Sequence, residues 1–128
     1  MKRGLRSRLT QYGDEEFALF LRRGFLKGAG FTDDALDRPI VGVLSTASDF
    51  NPCHRTAPQL ADAIARGVRL AGGLPFVFPT ISLHEAFSFP TSMLLRNLMS
   101  MDVEEMVKAL PLDSVVLIGA ATRPSRPS

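Results

Sequence analysis

Three short, unbroken apolar runs constrain this chain more than any other feature: Ile40-Val41-Gly42-Val43-Leu44, Pro75-Phe76-Val77-Phe78 and Ser114-Val115-Val116-Leu117-Ile118-Gly119. A strand with one face in water alternates apolar and polar residues. A run that is apolar at every position needs cover on both faces, which is the setting of parallel strands between helix layers. Between the first two runs, Leu60, Ile64, Val68 and Leu70 recur at helical spacing, opened by the capping-box pattern Thr56-x-x-Gln59 and closed by Gly72-Gly73. A helix between two such strands makes a βαβ unit. Between the second and third, Pro90 and Thr91 lead into a helix carrying Met93, Leu94, Leu95, Leu98 and Met99. Asp102-x-x-Glu105 then reads as the start of another helix, ending before Pro111. The pattern predicts a three-layer α/β fold with a mostly parallel sheet, its strands at residues 40–44, 75–79 and 114–118 parallel and adjacent.

Upstream of the first strand, Asp14-Glu15-Glu16 precedes an apolar-periodic run, Phe17, Phe20, Leu21 and Phe25, with Arg22, Arg23 and Lys27 near its end and Gly28 and Gly30 to stop it. Acidic residues in a first turn and basic residues in a last turn complement the helix dipole, so a helix is expected over 14–28. Residues 31–38 read as a polar connection, with Asp33 and Asp34 as loop or cap residues. The methionines Met93, Met99, Met101 and Met106 fall at helical spacing and read as core.

Composition matters mainly for what it excludes. Of 128 residues, 45% are hydrophobic and 22% charged, enough to build a core rather than a disordered chain. No apolar run reaches the ~18 residues of a membrane span, and no apolar stretch follows the basic N-terminus as in a secretory signal. The single cysteine, Cys53, excludes an internal disulfide framework and points to the cytoplasm. Lys2, Arg3, Arg6, Arg8, Arg123 and Arg126 hold six of the 15 basic residues, leaving nine against all 13 acidic ones, so residues 9–122 are net −4. A nucleic-acid binder carries its positive charge as a patch on the folded body; here the basic residues read as solvated ends, with 1–13 a basic arm and no nucleic-acid or membrane partner.

Three loops follow the carboxyl ends of the three expected strands, where open α/β sheets bind ligands. The first carries Asp49, Cys53 and His54, the second His84 and Glu85, and the third begins at Ala120. A thiolate, an imidazole and a carboxylate on one edge are suited to metal binding or to acid–base work. Against this, a lone cysteine is more often a small buried hydrophobe, His54 reads first as a surface residue, and cysteine catalysis needs a base placed beside the thiol, which mere adjacency of His54 does not supply. Gly28-x-Gly30 follows a helix rather than a strand and is no dinucleotide fingerprint.

Beyond this point the wording of the segments is informative. Arg6-Ser7-Arg8, Ser48-Asp49-Phe50-Asn51-Pro52-Cys53, Gly67-Val68 with Ala71-Gly72-Gly73, Ile81-Ser82-Leu83-His84-Glu85, Pro90-Thr91-Ser92-Met93-Leu94-Leu95-Arg96-Asn97-Leu98-Met99, Asp102-Val103-Glu104-Glu105-Met106 and Asp113 to Gly119 resemble, in order and spacing, the dihydroxy-acid and 6-phosphogluconate dehydratase family. His84-Glu85-Ala86-Phe87 and Pro90-Thr91-Ser92-Met93 resemble most its sugar-acid (pentonate) branch. The resemblance covers residues 6–119 and implies that 14–119 form part of the family's N-terminal domain. It further implies a homo-oligomeric parent hydro-lyase that removes water from a small 2,3-dihydroxy (aldonic) acid to give a 2-keto-3-deoxy acid. An iron–sulfur cluster on three cysteines would act as Lewis acid on the departing hydroxyl, beside a Mg²⁺ on the substrate's carboxylate side. Cys53 is then the first cluster ligand and Glu85 the first Mg²⁺ ligand. A branched-chain dihydroxy-acid dehydratase fragment and a non-catalytic α/β interaction module are the alternatives.

The chain departs from the family after its third strand. The resemblance calls for Gly-Gly-Cys-Asp-Lys-Thr, supplying the second cluster cysteine and an aspartate and lysine of the metal site; this chain has Gly119-Ala120-Ala121-Thr122-Arg123-Pro124. The third cysteine and the proton-abstracting serine belong to a long C-terminal portion of the family. A fragment without these groups is expected to be inactive alone and to bind neither cofactor alone, with apolar helix surface left exposed. Residues 120–128 read as an aberrant, loosely placed tail from a frameshift. One coding of the family-like peptide Gly-Gly-Cys-Asp-Lys-Thr-Val-Pro-Ala-Gln, with a single G removed from its second codon, translates to the residues found from Gly119 to Pro127. Sequencing the gene checks this: restoring one nucleotide near codon 120 should open a frame reading Cys-Asp-Lys, and the idea fails if it does not.

Overall fold

A computed structural model describes residues 2–9 and 13–119. Its centre is a three-stranded, wholly parallel sheet of β1 (Ile40–Ser45), β2 (Leu74–Pro79) and β3 (Ser114–Leu117), in the order β2-β1-β3. Ile40 pairs with Leu74 and Ser45 with Pro79 along one side of β1, and Val41 with Ser114 to Leu44 with Leu117 along the other. Four helices complete the fold: α1 (Glu15–Gly28), α2 (Asp33–Leu36), α3 (Ala57–Leu70) and α4 (Ser92–Ala109). The adjacent, parallel strands expected from the apolar runs are therefore present, with helices on both sheet faces.

Alternation along β1 divides the core in two. Ile40, with no exposed surface, packs with Leu5, Leu36 and Leu74, and around them lie Leu19 and Leu26 of α1, Phe31 and Phe76. The Phe31 and Phe76 rings meet edge to face at 5.2 Å between centroids. On the opposite face Val43, also fully buried, packs with Ala57 and Ala61 of α3 and with Ile118. Gly42 leaves room for its neighbours: a Cβ there would lie 2.8 Å from both Leu112 and Phe78 side-chain atoms.

Several local expectations change in the tertiary setting. α1 is capped as expected, by Asp14 accepting from the Glu16 and Phe17 amides at 2.9 and 3.3 Å. Its inward face, however, is Ala18, Leu19 and Leu26, while Phe20 and Phe25 are 69% and 78% exposed. In α3 the buried stripe is Ala57, Ala61 and Ala65, and Leu70 points outward; small side chains let this helix approach the sheet. Thr56 makes no side-chain cap bond, because the backbone is already helical at Arg55 and Thr56 and the extended geometry of a capping residue is missing. Residues 33–36 form a short helix, capped by Thr32, rather than a loop. Asp102 does not start a new helix: α4 runs unbroken through it, and its carboxylate instead accepts from the Thr80 hydroxyl at 2.8 Å. Met93 and Met101 are exposed with Leu94 and Leu98, not core. β3 is half-exposed rather than buried on both faces, since β1 is its one paired neighbour among the described residues. The tail expected over 120–128 lies outside the described residues.

The N-terminal segment also departs from the solvated end its charge predicts. Leu5 and Leu9 are buried. One Asp113 carboxylate oxygen accepts from the Gly4 and the Ile40 amides, both at 2.8 Å, so it clasps the segment to the start of β1. Gly4 has φ +56°, and a Cβ there would lie 2.9 Å from the Arg38 carbonyl oxygen, so any other residue would be strained. Arg22, on the inward side of α1, donates to the Leu5, Ser7 and Arg8 carbonyls at 2.7–2.9 Å. Charge-assisted bonds of this kind contribute about 1.5–3 kcal/mol each. Asp113→Ala should therefore destabilise the fold by about 2 kcal/mol in urea denaturation, and a midpoint equal to that of the unaltered chain would refute the clasp.

Candidate functional site

Because all three strands run parallel, the loops after β1 and β2 leave the same edge of the sheet. Here they are joined. The Asn51 side chain, 1% exposed, reaches from the first loop to the second, where its amide nitrogen donates to Ser82 Oγ and to the Leu83 carbonyl, each at 3.2 Å. The Leu83 carbonyl can only accept, which fixes the orientation of the amide. His54 Nδ1 lies 3.1 Å from the Thr46 carbonyl, 3.0 Å from Asn51 Nδ2 and 3.4 Å from Ser82 Oγ. The Thr46 contact needs the proton on Nδ1 and the Asn51 contact needs Nδ1 bare, so the tautomer decides which of the two is a hydrogen bond. Phe50 and Phe87 meet edge to face at 6.0 Å across the same two loops.

Cys53 sits in a 3₁₀ turn, Pro52–His54, directly after Asn51, and its thiol is free and exposed. It is not the buried small hydrophobe that a lone cysteine usually is. His54, which reads in the sequence as a surface residue, is half-buried and hydrogen-bonded. Asp49 is exposed, and His84 caps the turn Glu85–Phe87 by accepting from the Ala86 amide at 3.2 Å.

Glu85 is exposed yet well held. Its carboxylate accepts from the Ser92 amide at 2.9 Å, from the Ser92 hydroxyl in a short contact, and from the Thr91 hydroxyl at 3.0 Å. Ser92 opens α4 and is 1% exposed, so Glu85 satisfies an N-terminal amide of that helix from outside it. These bonds, the Ser92 hydroxyl first, hold the Glu85 carboxyl below its ordinary value of 4.5. A carboxyl depressed in the folded state adds stability above the unfolded-state value and loses it as pH falls through the folded one. Ser92→Ala should raise the Glu85 titration toward 4.5 in NMR and shrink the loss of stability on acidification below that pH; an unchanged titration would show that Ser92 is not the cause.

A cavity of about 330 Å³ lies beside these loops, where β1 and β3 end under α4, lined by Leu44, Thr46, Thr80, Met99, Val103 and Leu117 among others. It occupies the point where the chain crosses from one side of β1 to the other, the usual ligand crevice of open parallel sheets. Among the described residues, no three His, Cys, Asp or Glu side chains converge as a metal-binding group. Cys53 is the chain's one thiol, and a cluster needs several thiolates. The residues present therefore do not fit a complete iron–sulfur and Mg²⁺ site. Reading the sequence singled out Cys53 and Glu85, but gave no role to Asn51, Ser82 and Ser92, which hold them. The signal for Asn51 was a short amide in a polar turn, a residue type that bonds backbone groups.

A parallel three-stranded sheet with helices on both faces and two loops joined at its carboxyl edge defines an α/β domain. The pattern of the dihydroxy-acid/6-phosphogluconate dehydratase N-terminal domain matches residues 38–122, and the chain belongs to that family. A dehydratase of Rhizobium meliloti (strain 1021) is 44% identical over 95% of this chain and 21% of its own length. The L-arabonate dehydratase of Azospirillum brasilense is 40% identical over 92% of this chain, again 21% of the relative. A dihydroxy-acid dehydratase of Methanothrix thermoacetophila is 35% identical over 89% of this chain. The chain thus spans about a fifth of the length of these curated relatives. No helix among the described residues is long and apolar enough to cross a membrane.

Proposed function

We propose that this chain is an N-terminal portion of a sugar-acid dehydratase, whose whole form removes water from a 2,3-dihydroxy aldonic acid to give a 2-keto-3-deoxy acid. The observation that carries this reading is the joining, through Asn51, of the loop bearing Cys53 to the loop bearing Glu85 at the carboxyl edge of the sheet. In the reading, Cys53 contributes one thiolate to an iron–sulfur cluster and Glu85 one oxygen to a Mg²⁺ site. Relatives named for L-arabonate, L-arabinonate and 6-deoxy-6-sulfo-D-gluconate favour a sugar acid over a branched-chain acid. One thiolate and one carboxylate are an incomplete set, so no catalytic step is assigned to residues 1–119 alone. The parent enzyme is a cytoplasmic homo-oligomer in this reading.

A chimera tests it: residues 1–119 replace the matching segment of the Azospirillum brasilense L-arabonate dehydratase. The chimera should form 2-keto acid from L-arabonate, and Cys53→Ser or Glu85→Gln should lower turnover at least ~100-fold. The 128-residue chain itself should give no turnover. A folded, cofactor-loaded chimera whose activity survives both substitutions would reject the assignment, and turnover by the short chain would reject its inactivity.

A further inference from the structure

We infer that Asn51 is a positioning residue, whose side-chain amide sets the turn carrying Cys53 against the loop carrying Glu85; the inference rests on the proposed ligand roles of those two residues. Asn51 is anchored at both ends of its own loop. Its amide donates to the Ser48 carbonyl at 3.1 Å, and its carbonyl accepts from the His54 amide at 2.9 Å, so the backbone on either side of Cys53 is tied to it. From that fixed base the side chain crosses to Ser82 and Leu83, just before His84 and Glu85.

Two observations separate this from ordinary packing. Among the described residues, Asn51 Oδ1 is buried without a hydrogen-bond partner. A buried, unpaired acceptor is a cost to stability, so this site is not built for the most stable loop closure. The amide nitrogen, by contrast, is within hydrogen-bond distance of Ser82 Oγ and the Leu83 carbonyl on the other loop and of His54 Nδ1 on its own. Half-buried His54 adds a longer contact to Ser82 Oγ at 3.4 Å, and Phe50 and Phe87 touch across the gap but are both largely exposed. An apolar residue at 51 would remove the fully buried polar tie between the two loops and leave the half-buried His54. A ligand pair drawn from two loops binds one ion well only when the loops keep a fixed separation, which the Asn51 amide provides.

The single thiol allows a direct test, because a nitroxide spin label attaches only at Cys53. In the unaltered 128-residue chain the label should show an immobilised spectral component. Asn51→Ala should abolish that component and Ser82→Ala, which removes one of the two acceptors, should reduce it, while far-ultraviolet circular dichroism stays unchanged. Should Asn51→Ala lose its helix content, Ser82→Ala decides alone. Spectra of the folded variants that superimpose on that of the unaltered chain overturn the inference. The readout needs neither cofactor nor turnover. A chimera active without Cys53 would reject the ligand reading and leave the label result standing; unchanged label motion would reject the positioning role and leave the ligand reading intact.

Discussion

The arrangement depends on β1 being hydrogen-bonded on both sides. β1 lies between two parallel neighbours with helices over both sheet faces, and Ile40 and Val43 lose all exposed surface to opposite layers. Parallel pairing also fixes direction. Each strand must be followed by a crossover, and each crossover starts from the same edge. The loops at residues 46–56 and 80–91 are therefore neighbours because the sheet is parallel.

On that edge the same polar groups serve the fold and the site. Glu85 closes the N-terminus of α4 through Ser92 and is also the carboxylate that the family resemblance assigns to a metal. Its depressed titration keeps it ionised, which suits both uses. Asn51 likewise completes the backbone bonding of its turn while reaching the second loop. Thr80 and Asp102 make a third such link, tying the end of β2 to the middle of α4. The edge is held by side chains whose partners are mostly backbone or hydroxyl groups, so its geometry does not rest on ion pairs. Among the described residues the ion pairs lie elsewhere, as in Arg23 with Asp33 and Asp37, where the carboxylates are exposed and the pairs add little.

The apolar surface tells a related story. Phe20 and Phe25 on α1, Leu94 and Leu98 on α4, and Leu117 on β3 are exposed. Large apolar side chains left in water carry a cost that burial against another surface removes. This accords with a chain that spans about a fifth of the length of its curated relatives.

The sequence by itself determined the class of fold, the three strands, their direction and the edge on which Cys53 and Glu85 lie. Uninterrupted apolar runs and helical spacing are local signals that survive without knowledge of the partners. It did not determine which face of each helix turns inward. In α1 the large apolar residues marked one face and the structure buried another, lined by Ala18, Leu19 and Leu26; in α3 Ile64 packs inward as its spacing suggests, beside the stripe Ala57, Ala61 and Ala65, while Leu60 and Leu70 are exposed. Close approach to a sheet favours small side chains, and periodicity scores them weakly. Nor did it show that α4 continues through Asp102, that Asp113 clasps Gly4, or that Asn51 joins the two loops. Each of these is a hydrogen bond, or the loss of one, between residues distant in the chain. A capping pattern records only what a residue is able to bond, and the tertiary structure decides which partner it meets.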